Sequence, residues 1–77
     1  MTEKKYQEAI KALGKRIKLI RKERKLKQLD LEIKTRIDRA DISKIENGLK
    51  NVEFLTLVKL AEALEVELYD LFKPRRN

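Results

Sequence analysis

The chain has 77 residues, with 20 Lys or Arg against 13 Asp or Glu for a net charge of +7, and it has neither cysteine nor histidine. That length predicts one domain over residues 1–77, near the smallest size at which a single apolar core holds without staples. Without thiols or imidazoles, and with Ser43 the only serine and nothing near it in sequence to activate it, neither an enzyme nor a metal or other cofactor is expected.

Apolar residues recur at helical spacing, and two glycines and one proline interrupt them, so the fold class is all-α. The first helix is predicted from residue 2 or 3 to about 24, with Thr2 as N-cap. Tyr6, Ile10, Leu13, Ile17 and Ile20 form one apolar stripe along it. Gly14 inside this helix costs roughly 1 kcal/mol relative to Ala, and a close helix crossing is one reason for it. Residues 1–27 hold eleven basic and three acidic side chains, a net +8, whereas residues 28–77 hold nine basic and ten acidic, a net −1. One side of the molecule is therefore expected to suit a polyanion. Leu26, in the connection to the next helix, is expected to be buried beneath the following pair.

The stretch QLDLEIKTRIDRADISKIENG, residues 28–48, reads as helix, tight turn and helix. Leu29, Leu31 and Ile33 are assigned to the apolar side of the first. Ile42 and Ile45 make a narrow apolar edge on the second, predicted over 39–47, which leaves Arg39, Ala40, Ser43 and Lys44 facing away. Asp38 stands where its carboxylate can accept from the N–H of Ala40 or Asp41 as an N-cap, and Asn47-Gly48 is a helix stop. A fourth helix over 53–64 is predicted to bury Phe54, Leu57, Val58, Ala61 and Leu64, widened by Leu60. A short last helix over 67–72 offers Leu68, Leu71 and Phe72 before Pro74 ends it, and a disordered tail is expected over 73–77. The aromatic residues are chiefly assigned to the core.

In order and spacing, LGKRIKLIRKER from Leu13, Gln28, ISKIENG from Ile42 and LVKLAEALEVELYDLF from Leu57 resemble the phage repressor and Cro (Xre-like) family of helix-turn-helix regulators. The resemblance spans residues 13–72 and implies a five-helix lambda-repressor-like DNA-binding domain. It implies that Gln28 clamps a DNA phosphate together with the helix N-terminus behind it. Arg39, Ala40, Ser43 and Lys44 would meet base edges, with Arg39 able to fork onto guanine. Asn47, Lys50 and Asn51 would meet the phosphate backbone. The family also implies a homodimer on a near-palindromic operator, for which Val66, Leu68, Leu71 and Phe72 are the interface candidates.

Several positions depart from the family pattern. Lys25 and Lys27 replace the usual helix-stopping glycine and capping Ser or Thr, so Lys25 is expected to turn left-handed at some cost. Arg36 stands where glycine commonly makes the turn, and Glu32 where a small residue lets the motif helices approach. Glu32 is expected either to reach solvent along its aliphatic stem or to shift the helices. Asp41 has three open assignments: a partner for Arg39, an acceptor for a cytosine amine, or an acid matched to the helix dipole. Glu46 is expected in an intramolecular ion pair or hydrogen bond.

The function expected is a sequence-specific double-stranded DNA-binding transcriptional regulator of the repressor type. The alternative is a helical protein-interaction module, for example an antitoxin-type partner, with only non-specific DNA affinity, so a protein partner stays open. No apolar run is long enough for a bilayer, and MTEKKYQEAI carries charges where a signal peptide has its apolar core. A cytoplasmic, DNA-associated protein without a membrane partner is therefore expected, and no segment is left over for sensing a small molecule.

Overall fold

A computed structural model describes residues 1–73; the expected helix stop at Pro74 and the tail beyond Lys73 lie outside the described residues. The elements are α1 (Thr2–Glu23), α2 (Gln28–Thr35), α3 (Arg39–Glu46), α4 (Phe54–Leu64) and a 3-10 segment (Leu68–Phe72). The all-α class holds, with four α-helices and a 3-10 turn in place of five helices. No described helix is long and apolar enough to cross a membrane.

Ile17, Leu31, Ile42, Ile45, Leu60, Leu64 and Leu71 are fully buried and draw every element into one core. Leu26 and Ile37 pack against it, as their positions in the two connections predict. The burial of α1 begins at Ile10, because its first turns project past the body and Tyr6 stays 41% exposed. Thr2 lies within α1, and Met1 precedes it without a side-chain cap, so the predicted Thr2 cap does not form.

The two-residue alternation of Leu29, Leu31 and Ile33 does not make a helical face, since steps of two swing to opposite sides of a helix. Only Leu31 is buried, joined one turn later by Thr35, while Leu29 and Ile33 are exposed. On α4 the buried residues are Leu57, Leu60, Ala61 and Leu64; Phe54 and Val58, expected beside them, face outward with Leu55. All four aromatic residues, Tyr6, Phe54, Tyr69 and Phe72, are exposed, which overturns their assignment to the core.

Helices α1, α2 and α4 each end on a non-glycine residue in the left-handed region: Lys25 (φ 58°), Arg36 (φ 63°) and Glu65 (φ 60°). The bend lets Leu26 N–H reach the Arg21 carbonyl (3.0 Å) and Val66 N–H reach that of Ala61 (3.0 Å). Terminal carbonyls are thereby satisfied, and the next apolar residue is folded back onto the core. At the end of α3, Gly48 (φ 69°) lets Leu49 N–H reach the Lys44 carbonyl (2.9 Å) at no steric cost, with the Leu49 side chain left exposed. At Arg36 the turn is supported by Thr35, whose buried hydroxyl donates to the Leu31 carbonyl (2.6 Å) and accepts from Ile37 N–H (3.1 Å).

The 3-10 segment is tied down by charge. Arg16 Nε donates to the Asp70 carbonyl (2.8 Å), and Lys73 Nζ lies 2.9 Å from the Asp70 carboxylate. The hydrogen bond from Lys73 holds that carboxyl below its ordinary range. Its small contribution to stability is thus present at neutral pH and is lost as acid protonates Asp70.

Gly14 fixes how closely α1 and α3 approach. A Cβ built there would strike the Ile45 carbonyl oxygen and lie 2.6 Å from that of Glu46. Alanine suits a helix interior better by about 1 kcal/mol, but backbone cannot yield as a flexible side chain can. Gly14→Ala is therefore expected to lower stability by about 1–3 kcal/mol net, read as a lower urea midpoint at unchanged slope.

Candidate nucleic-acid interface

Arg21 and Glu46 decide the pose of the motif. The Arg21 fork meets the Glu46 carboxylate with Nε–Oε2 at 2.6 Å and Nη2–Oε1 at 3.0 Å, both side chains being buried. Arg21 Nη1 also donates to the Leu26 carbonyl (2.9 Å), and Gln28 Nε2 donates to Glu46 Oε1 (3.0 Å). One ion pair thus joins α1, the α1–α2 connection, the first residue of α2 and the last turn of α3. Desolvating two charges is expensive, and here the bidentate geometry and the added hydrogen bonds offset it. The expected intramolecular role of Glu46 is met.

Gln28 is consequently not a loose side chain. It is half-buried, with its amide nitrogen held by Glu46 at the N-terminus of α2. An amide has two N–H groups, so one remains for an anion placed before the helix. The sequence offers no capping side chain at Lys27, but Asp30 Oδ2 accepts from the Lys27 N–H (2.7 Å), closing the first turn from within.

The N-terminus of α3 carries two carboxylates. Asp38 Oδ1 accepts from Ala40 N–H (3.2 Å), the N-cap its position predicts. Glu32, the misfit of the sequence pattern, reaches across from α2, and its Oε2 accepts from Arg39 N–H (3.2 Å). Neither expectation for Glu32 named this role, because the partner is a backbone group seven residues away with no side-chain signal.

On α3, Ile42 and Ile45 point inward, while Arg39, Ala40 and Lys44 are exposed and Ser43 is half-exposed. Among the described residues neither Arg39 nor Lys44 makes an ion pair. Gln28, Glu32, Asp38, Arg39, Ala40 and Ser43 line a shallow groove between α2 and α3. Asn47 is exposed beside Ser43 at the end of α3, Asn51 is exposed in the loop that follows, and half-buried Lys50 pairs with Asp41 (3.5 Å). Asp41 therefore meets Lys50 in place of Arg39. Gln28 thus lies beside the last turn of α3, which Asn47 follows, while Lys50 is paired with Asp41 near the first turn of that helix.

The basic character of α1 is less available than its charge count implies. Arg21 is buried, Arg16 holds the 3-10 segment, and Arg24 is 3.7 Å from the Glu65 carboxylate. Of the proposed interface residues, Val66 and Leu68 are half-buried and Phe72 is exposed, whereas Leu71 is fully buried within its own chain and has no surface to offer a second copy.

A family model described as a helix-turn-helix domain matches residues 14–74. The chain belongs to the helix-turn-helix family. Among solved structures it is similar to the restriction-modification controller protein C.AhdI from Aeromonas hydrophila. The TM-score is 0.80 at 32% identity, over 82% of this chain and 96% of that one. It is also similar to a hypothetical transcription factor, NHTF, from Neisseria, with a TM-score of 0.82 at 28% identity over 90% of this chain and 79% of that one. Among curated proteins there is no significant match. The helix-turn-helix assignment agrees with the resemblance to repressor and Cro proteins carried by residues 13–72.

Removing Glu46 alone should be severe, because Arg21 would be left buried without its counter-charge. Glu46→Ala is expected to cost about 3–5 kcal/mol, whereas Arg21→Met combined with Glu46→Leu should lie near wild type or above it. Urea unfolding of the single and double variants measures the difference.

Proposed function

We propose that this chain is a sequence-specific, double-stranded DNA-binding transcriptional regulator that inserts α3 into the major groove. The observation that carries the reading is the exposed side of α3. Among the described residues Arg39 and Lys44 stand there without ion-pair partners beside the small Ala40 and Ser43, while the opposite edge is locked into the core. An eight-residue helix presented this way fits a groove about 12 Å wide. C.AhdI, a restriction-modification controller, and NHTF, a hypothetical transcription factor, support the same class.

Arg39 is assigned to a base edge, with two donors suited to guanine O6 and N7. Ala40 meets a thymine methyl or admits the backbone, and Ser43 and Lys44 reach neighbouring bases. Gln28, Asn47, Lys50 and Asn51 take phosphates and fix the register. Lys50 exchanges Asp41 for phosphate on binding, a low-cost exchange for a pair that water reaches on both sides.

One such domain reads few bases, so two copies on a near-palindromic site are proposed, acting as a repressor in the cytoplasm. A second copy would cover exposed apolar side chains. Phe72 with Val66 and Leu68 remains a candidate, and Phe54, Leu55 and Val58 on α4 form another. A protein partner on the α4 side chains is the competing use, which their exposure favours.

Selection from a random duplex library at near-physiological salt should recover two half-sites about one helical turn apart. Arg39→Ala should cost about 1–3 kcal/mol on the recovered site and relax discrimination at one base pair. An equal loss on all sequences would make Arg39 a phosphate contact, and absence of any enriched site would leave the interaction module as the function. In sedimentation at rising concentration, Leu55→Asp combined with Phe72→Asp should remain monomeric where the wild type dimerises.

A further inference from the structure

We infer that Glu32 is a specificity-determining residue, a carboxylate in the groove between α2 and α3 that accepts from the N4 amine of a cytosine. The inference rests on the DNA-reading function proposed above and names a reader that lies outside α3.

Glu32 is half-buried in the groove it shares with Gln28, Arg39, Ala40 and Ser43, on the same side of the motif as the proposed base and phosphate contacts. Its Oε2 is fixed by Arg39 N–H (3.2 Å). Among the described residues its Oε1 takes no hydrogen bond, and no cation lies within ion-pair distance. The stem is therefore held by packing and one oxygen by the backbone, while the other oxygen is left as an oriented acceptor.

Together with Asp38, Glu32 also uses the first two free N–H groups of α3. This helix N-terminus consequently has two of its N–H groups answered within the chain by carboxylates. A carboxylate oxygen left without a donor in the complex loses its water at a cost, so a duplex offering no compensating donor binds less well. Major-groove donors are the amines of cytosine and adenine. Adenine sets its N7 acceptor beside N6, and that lone pair opposes a carboxylate. Cytosine has only a C–H beside N4, which makes it the base that fits. With Arg39 suited to guanine, the two adjoining side chains are matched to a G·C-rich step in each half-site.

The test compares the site selected by the wild type with those selected by Glu32→Gln and Glu32→Ala, together with Tm. Glutamine retains an oxygen to accept from Arg39 N–H but loses the charge. Both variants should lose preference for cytosine at one position per half-site by about tenfold, and Glu32→Gln should bind unrelated duplexes several-fold more tightly at low salt. The wild type itself should lose about tenfold when that cytosine is replaced by any other base, a measurement independent of variant folding. Unchanged cytosine preference in the variants, or a uniform change on every sequence, would reduce Glu32 to a helix cap and overturn the inference. No enriched site for the wild type would instead overturn DNA reading itself.

Discussion

The motif stands on one buried ion pair. Arg21 from α1 and Glu46 from α3 form a bidentate contact inside the core, and the remaining capacity of each is used to hold the α1–α2 connection and Gln28. Apolar packing is non-directional and would tolerate small rotations of α3, whereas a forked charge pair tolerates few. Gly14 adds a steric limit on the same contact, since α1 presses on the carbonyls of Ile45 and Glu46 at the point where the ion pair closes. Distance is thus fixed by a missing Cβ and rotation by a salt bridge. The exposed edge of α3 inherits its direction from both.

Charge is used differently in different parts of this small chain. Arginines near the body are spent on architecture: Arg16 holds the 3-10 segment, Arg24 the end of α4, and Arg21 is buried. Among the described residues the α3 cations Arg39 and Lys44 make no ion pair, on the side where the proposed groove contact falls. Asp38 caps α3 in the conventional way, and carboxylates at Glu32 and Asp30 answer backbone N–H groups that the sequence leaves without such caps. The departures from the family pattern therefore carry compensations. Arg36 turns left-handed with Thr35 bracing it, and Glu32 becomes a cap across the motif.

Much of this was legible in the sequence where local chemistry decides. Asp38 capping Ala40, Gly48 ending α3 and the inward pair Ile42 and Ile45 follow from spacing and from which residues tolerate which backbone, whereas the left-handed Lys25 follows from the glycine the family has at that position. Gly14 as a crossing point followed from the cost of a glycine inside a helix. The errors came where tertiary context decides. Phe54 and Val58 have the right period for a buried face, but α4 is covered from only one side, so Leu57, Leu60, Ala61 and Leu64 fill it and their neighbours face out. Tyr6 continues the stripe of α1 past the end of the body. Leu71 read as available surface because nothing in a short terminal segment tells which side the rest of the chain will cover. Asp41 could not be assigned to Lys50, nor Glu32 to Arg39 N–H, since both pairings depend on the turn geometry.

The central claim, that the α2–α3 face meets duplex DNA, is tested most directly by following backbone amide resonances of the protein as duplex is added. The account predicts the largest shifts at the N-terminus of α2, across Arg39, Ala40, Ser43 and Lys44, and at Asn47, Lys50 and Asn51, with the face bearing Phe54, Leu55 and Val58 unaffected by DNA contact. Shifts confined to the basic turns of α1, or spread evenly over the surface and abolished by modest salt, would contradict it and leave only non-specific attraction.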